Sequence, residues 1–280
     1  MQELIVAFLV GIISGLVVDL ILRSPRFLHR RHLRLLLNLP KDQDLIFIYP
    51  PRQRDYAILP RAATEDFMGI NNLISALLSI GWSSDRFVIR DTERITQQQC
   101  EDANVITLCS PKSNSFTAMV QRELLDDGVH HYYFDQVVIK NTESESLDSE
   151  PQWAITDGNG YYPSPITQAL KDYEKEQQKQ EGTMLPPLHE RSLVDYAAVT
   201  KVRNPWRPEK HVLIVAGVRA IGTWGAAETI KKWYDLIYKE KKGRFQRSRK
   251  DGYFSALLKI EYRNSDIIKA EIIGLIDINM

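Results

Sequence analysis

The chain has 280 residues with 36 basic and 36 acidic side chains, so its formal charge is zero and its balance gives no sign of a nucleic-acid-binding protein. It has two cysteines, Cys100 and Cys109, with neither metal-ligand spacing nor the density of a disulfide scaffold, as expected in a reducing compartment. No metal site, repeat or specific nucleic-acid partner is expected, and a chain this long can bury one large core or two small ones.

Residues Leu4 to Leu22 form a near-unbroken apolar run, followed at once by Arg23, Arg26, Arg30, Arg31 and Arg34. A helix of that length rises roughly 28 Å, close to the hydrocarbon thickness of a bilayer. The arginines follow the run, and a secretory signal would carry its positive charge before it. The expectation is a single-pass transmembrane anchor over 1–24, in the inner (cytoplasmic) membrane, with Met1 outside and the C-terminal domain in the cytoplasm. Gly11 and Gly15 are spaced for close helix pairing in lipid, which predicts a homodimer. Asp19 lies one turn before Arg23, so the two predict an ion pair near the headgroups.

Residues 25–43 read as a basic juxtamembrane helix, with Leu28, Leu33, Leu36 and Leu37 dipping into the lipid interface. A cytoplasmic α/β domain is expected over 44–280, with a possible sub-boundary near 141–195. Leu45–Tyr49 predicts a buried strand closed by Pro50 and Pro51. Thr64 then caps a helix with Glu65 and Asp66 in its first turn, an apolar face through Phe67, Ile70, Leu73, Ile74, Leu77 and Leu78, and Gly81 as its stop. Strands are expected at 86–89 and 104–109, with a polar helix over 92–100 between them and another over 116–125 afterwards. Alternation of strand and helix is the pattern of a parallel sheet with crossover helices.

Further on, 132–134 and 137–139 are strand-like, Asp157–Gly160 is a hairpin turn, and 166–182 is a very polar helix or excursion. Strands follow at 196–202 and 211–216, then a helix through Tyr238. The basic run Lys239–Lys250 reads as a solvated loop, with lipid or nucleic acid as other partners. Strands 253–262 and 267–278 predict an antiparallel pair closing one sheet edge.

Two strand-loop-helix junctions carry the chemistry. At the first, Ser110, Lys112, Ser113, Asn114 and Ser115 offer hydroxyls, N–H groups and a cation at a helix N-terminus, which favours an anion. At the second, Gly217 and Gly222 let backbone approach a ligand, Thr223 caps the helix and Arg219 offers a fork to phosphate or carboxylate. Their glycine spacing is neither the dinucleotide fingerprint nor the P-loop. Candidate catalytic groups are Glu65 and Asp66, with Asp91, Cys109 and Glu228 also near strand or helix ends, but no triad, elbow or metal motif joins them.

In 44–125 and 195–238 the pattern of these junctions resembles the Rossmann-like nucleotide-sensing domains of bacterial defence systems, such as the SLOG and CARF groups. That resemblance implies a small-residue loop holding a nucleotide-like small molecule, in a sensor or effector sometimes attached to a membrane helix. The competing expectation is a membrane-tethered hydrolase or transferase acting on nucleotides or N-glycosidic bonds, with Glu65 or Asp66 as its acid or base.

Overall fold

The computed structural model describes residues 30–31, 33–34, 36–51, 64–138, 151–179, 191–240, 252–264 and 266–278. The apolar run 4–22, with Gly11, Gly15 and Asp19, lies outside them, as does the basic run beyond Glu240. Among the described residues no helix is long and apolar enough to cross a membrane.

The fold is mixed α/β. A seven-stranded sheet has the order β10-β9-β7-β8-β3-β1-β2. Its strands are β1 (Leu45–Tyr49), β2 (Phe87–Asp91), β3 (Asn104–Leu108), β7 (Leu193–Asn204), β8 (Arg207–Gly217), β9 (Phe254–Arg263) and β10 (Asp266–Asp277). The pairings β2-β1, β1-β3 and β3-β8 are parallel, whereas β8-β7, β7-β9 and β9-β10 are antiparallel. All strands but β7 and β10 therefore point the same way. A smaller antiparallel sheet joins β4 (Tyr133–Val137), β5 (Gln152–Thr156) and β6 (Tyr161–Pro163).

Side chains on a strand alternate between faces, and here each face has its own core. Ile106, Leu108, Leu213, Val215, Ala197 and Val199 pack on one side with α2 (Thr64–Ser79) and α6 (Ala220–Glu240). Val105, Val212, Ile214, Ala216, Ala198 and Val202 pack on the other. Phe116, Val120 and Leu124 of α4 (Ser115–Asp126) meet them there, with Phe134 and Ile155 of the small sheet. Helices α2 and α6 approach closely at Gly69, where an added Cβ would sit 3.2 Å from Leu108 and 3.6 Å from Ala227.

Most of the expected elements form within a few residues of their predicted bounds, and two do not. The polar helix over 92–100 contracts to α3 (Gln97–Glu101), because Thr96 and Gln99 form a capping box that starts it late. The two strand-like runs at 132–139 merge into β4, one half-exposed edge strand. Of the two readings of the polar segment 166–182, the helix is the one that forms, as α5 (Pro165–Lys179). The Asp157–Gly160 turn does close a hairpin between β5 and β6, with Asp157 Oδ1 accepting from Asn159 N at 3.0 Å and Gly160 N at 3.2 Å.

The juxtamembrane expectation needs a larger correction. Residues 30, 31, 33, 34, 36 and 37 are helical (α1), but Leu33, Leu36 and Leu37 face the protein core. They are at most 3% exposed and pack in one cluster with Leu77, Ile80 and Trp82. The i, i+3, i+4 stripe that reads as lipid-facing is buried in the protein's own core. Arg34 Nε donates to the Ile80 carbonyl at 3.2 Å, and Lys41 Nζ donates to the same oxygen at 2.5 Å. Arg30, Arg31 and Arg34 remain exposed. Leu28 lies outside the described residues.

Truncating Leu37 to alanine should therefore destabilise the folded domain by about 3 kcal/mol. Urea unfolding followed by tryptophan fluorescence checks this, with Arg31→Ala expected to change stability little. An equal, small effect for both would return the leucine stripe to the membrane.

Candidate functional site

Strand order reverses between β1 and β3, because the chain leaves β1 for β2 on one side and returns to β3 on the other. In such sheets the crevice beyond the carboxyl ends at the reversal is where ligands bind. A cavity of about 450 Å³ lies there, within the size range of small-molecule sites. Pro50 and Pro51 from the end of β1, Cys109 and Ser110 from β3, and Gly217 to Ala220 from β8 line it. Asp66 of α2, Pro151, Gln152 and Trp153 at the start of β5, and Thr167 of α5 add to its described walls.

Both junction loops thus reach one cavity, but not all of their residues do. Ser110, Lys112, Ser113, Gly217, Arg219 and Thr223 line it, whereas Asn114, Ser115 and Gly222 do not. Asn114 is fully buried and works inside the fold. Its Oδ1 accepts from Thr117 N at 3.1 Å, which caps α4, and its Nδ2 donates to the Leu108 carbonyl at 2.7 Å and to Thr107 Oγ1 at 2.9 Å. Ser115 is exposed on the first turn of α4.

Gly222 is a glycine for an internal reason. A Cβ there would stand 2.4 Å from Asp195 Oδ2. That carboxyl oxygen accepts from Arg219 N and from Gly222 N, each at 3.1 Å. The helix N-terminus that the sequence reserves for a ligand anion is therefore filled by an acid of the protein itself. Gly217 is likewise structural, since its Cβ would meet Thr223 N at 2.3 Å. Thr223 does not cap its own helix; its buried hydroxyl accepts from Gly217 N at 2.9 Å and closes the loop. What the second junction offers the cavity is the exposed Arg219 side chain, whose Nη2 donates to Thr167 Oγ1 at 3.0 Å. Lys112 is exposed on the opposite loop.

Of the candidate acids, Asp66 lines the cavity and Glu65 does not. Asp66 is 1% exposed and accepts from Cys109 Sγ at 3.0 Å. Asp91 is buried as a turn-forming acceptor from Glu93 N and Arg94 N, and Glu228 pairs with Lys232 along α6. Neither lines the cavity. Among the described residues no group of three or more His, Cys, Asp or Glu lies together as a metal site would require. Among the contributors that escape sequence reasoning are Trp153, Thr167 and the supporting Asp195. Asp195 does leave a trace, as the lone acid in the otherwise apolar and aromatic stretch Leu193–Val199.

Comparison with known proteins finds no matching family model, no similar curated protein and no similar solved structure.

Asp195 is fully buried, and burial pushes its carboxyl up to about 7 against the donors that favour its charge, the Ser164 hydroxyl and the N–H groups of Arg219 and Tyr196. Between the ordinary carboxyl value of about 4 and 7, the folded chain holds a proton that the unfolded chain has released. The stability this group contributes is complete below about pH 4 and declines as pH rises toward 7. Asp195→Asn should flatten that decline, visible as Tm measured from pH 4 to pH 8. Parallel wild-type and variant profiles would show that Asp195 is ionised throughout.

Proposed function

We propose that the chain is a membrane-anchored, Rossmann-like cytoplasmic domain that binds a nucleotide-like anionic ligand, as a sensor or effector of bacterial signalling or defence. The observation that carries the reading is the convergence of both junction loops on one cavity at the carboxyl ends of β1, β3 and β8. Lys112 and Arg219 bring cations to it from two separate loops. Because Asp195 engages the N–H groups of Arg219 and Gly222, charge recognition falls to these side chains. Trp153 adds an aromatic surface of the kind on which a base stacks.

The anchor is the Leu4–Leu22 run, with the inner membrane as its bilayer and pairing at Gly11 and Gly15 as the route to a homodimer. Ligand binding would change how two domains associate, and that change would pass to the helix pair. Cross-linking in membranes should capture a dimer, reduced several-fold by Gly11→Leu or Gly15→Leu; unchanged cross-linking would remove the pair.

The enzymatic alternative loses one of its supports. Cleavage of an N-glycosidic bond by paired carboxylates needs two of them flanking the bond. Among the described lining residues Asp66 is the one acid, and it is engaged with Cys109.

Thermal shift of the full chain in detergent tests the binding reading, with ATP, NAD, a cyclic oligonucleotide and inorganic phosphate as probes. At least one nucleotide should raise Tm. Arg219→Gln and Lys112→Gln should each weaken its binding roughly ten-fold, the worth of one charge-assisted hydrogen bond. No shift with any of them would overturn the reading.

A further inference from the structure

Cys109 stands at the point where β3 ends and the cavity begins, and its backbone is left-handed, at φ 77°. A residue with a side chain adopts that conformation at a cost of roughly 1–3 kcal/mol and keeps it only where its surroundings impose it. Here they do so from both sides. The preceding carbonyl, Leu108 O, accepts from Asn114 Nδ2 at 2.7 Å. The Cys109 N–H donates to Val215 O on β8 at 3.1 Å, and the Ser110 carbonyl accepts from Ser113 N and Asn114 N at 3.0 Å each.

The result is a sharp strand-to-helix turn with a thiol on the cavity wall. That thiol is within hydrogen-bond reach of a buried carboxyl lining the same space, Sγ to Asp66 Oδ1 at 3.0 Å. A nucleophile and a proton acceptor so placed are the working pair of covalent catalysis. The second cysteine supplies the contrast. Both cysteines are buried, Cys100 at 1% and Cys109 at 5% exposure, but Cys109 lines the cavity and Cys100 does not, and burial pushes the Cys100 thiol up to about 12.

We propose that Cys109 is a nucleophile toward an acyl donor that carries a negative charge, with Asp66 as its proton acceptor. Sulfur attacks the acyl carbon while the Sγ proton passes to the Asp66 carboxylate. The bond from carbon to the leaving oxygen breaks, and the proton moves from Asp66 to that oxygen, leaving a thioester on Cys109. Water then adds hydroxide to the acyl carbon and a proton to sulfur, which releases the carboxylic acid and restores the thiol. Lys112 and Arg219 select the charged donor, and for that charge alone the proposal rests on the anionic-ligand reading.

The experiment treats the full chain separately with iodoacetate, iodoacetamide and acetyl phosphate, and follows each cysteine by peptide mass. Cys109 should be alkylated and Cys100 spared. Iodoacetate should react several-fold faster than iodoacetamide, a preference lost when Lys112 and Arg219 are both changed to Gln. Acetyl phosphate should place an acetyl group on Cys109. Asp66→Asn should slow every reagent at Cys109 at least ten-fold. Should that variant not fold, the wild-type alkylation rate decides: it should change much less than ten-fold per pH unit between pH 6 and 8, because Asp66 takes the proton.

The tenfold-per-unit rise of an isolated thiol would overturn the pairing with Asp66. Reaction no faster than at Cys100, or no acetyl group from acetyl phosphate, would overturn the nucleophile. Alkylation without preference for iodoacetate would overturn the charge selection and leave the nucleophile standing. Nucleotide-induced thermal shifts with an inert Cys109 would leave the binding reading intact.

Discussion

Parallel pairing of β3 with β8 governs the arrangement around the cavity. Leu108 lies opposite Val215, and the N–H of Cys109 extends the ladder by one more bond to Val215 O. Parallel strands present their carboxyl ends on the same side, so two loops a hundred residues apart in sequence leave the sheet together. An antiparallel pair would have sent them to opposite ends. The next strand out, β7, is antiparallel to β8 and brings Asp195 underneath the second loop, near that same end. Lining, support and strain at the cavity all follow from that local order of directions.

The two helix N-termini at the cavity are handled differently. At α4 the neutral amide of Asn114 caps the helix and grips the end of β3. At α6 a carboxyl from a neighbouring strand takes the amides of Arg219 and Gly222, so the helix end is already answered electrostatically. A ligand anion there would meet a competing acid, and it is the Arg219 side chain that turns outward. A glycine-rich junction can thus be built for the protein's own carboxyl as readily as for a phosphate. Gly217 and Gly222 are the instructive residues, because both contacts that forbid a Cβ are intramolecular.

How much of this was legible in the chain depends on whether the deciding partner was local. The strands β1, β3 and β8 announce themselves as short apolar runs, and α2 by its capped, one-faced pattern, since each signal lies within its own segment. The late start of α3 was also readable, for Thr96 and Gln99 carry the capping-box spacing. The role of Gly222 was not, because Asp195 precedes it by 27 residues and only the folded sheet brings them together. Cys109 and Asp66 were visible as residue types, but their hydrogen bond spans 43 positions. The leucines of α1 show a further limit: an amphipathic stripe says that something apolar covers it, without saying whether that is lipid or protein.

That coverage has a mechanical side. Helix α1 is seated against Ile80 and Trp82 at one end of α2, and Asp66 occupies the first turn at the other. Sixteen residues of regular helix separate these ends, a rod roughly 24 Å long. Close-packed interiors compress little and pass displacement on. Along that length α2 meets α6 at Gly69, where the missing side chain leaves room for Ala227, and at Asn72, which accepts from Lys231 Nζ. Helix α2 therefore spans the distance between the seat of α1 and the carboxyl that accepts from the Cys109 thiol.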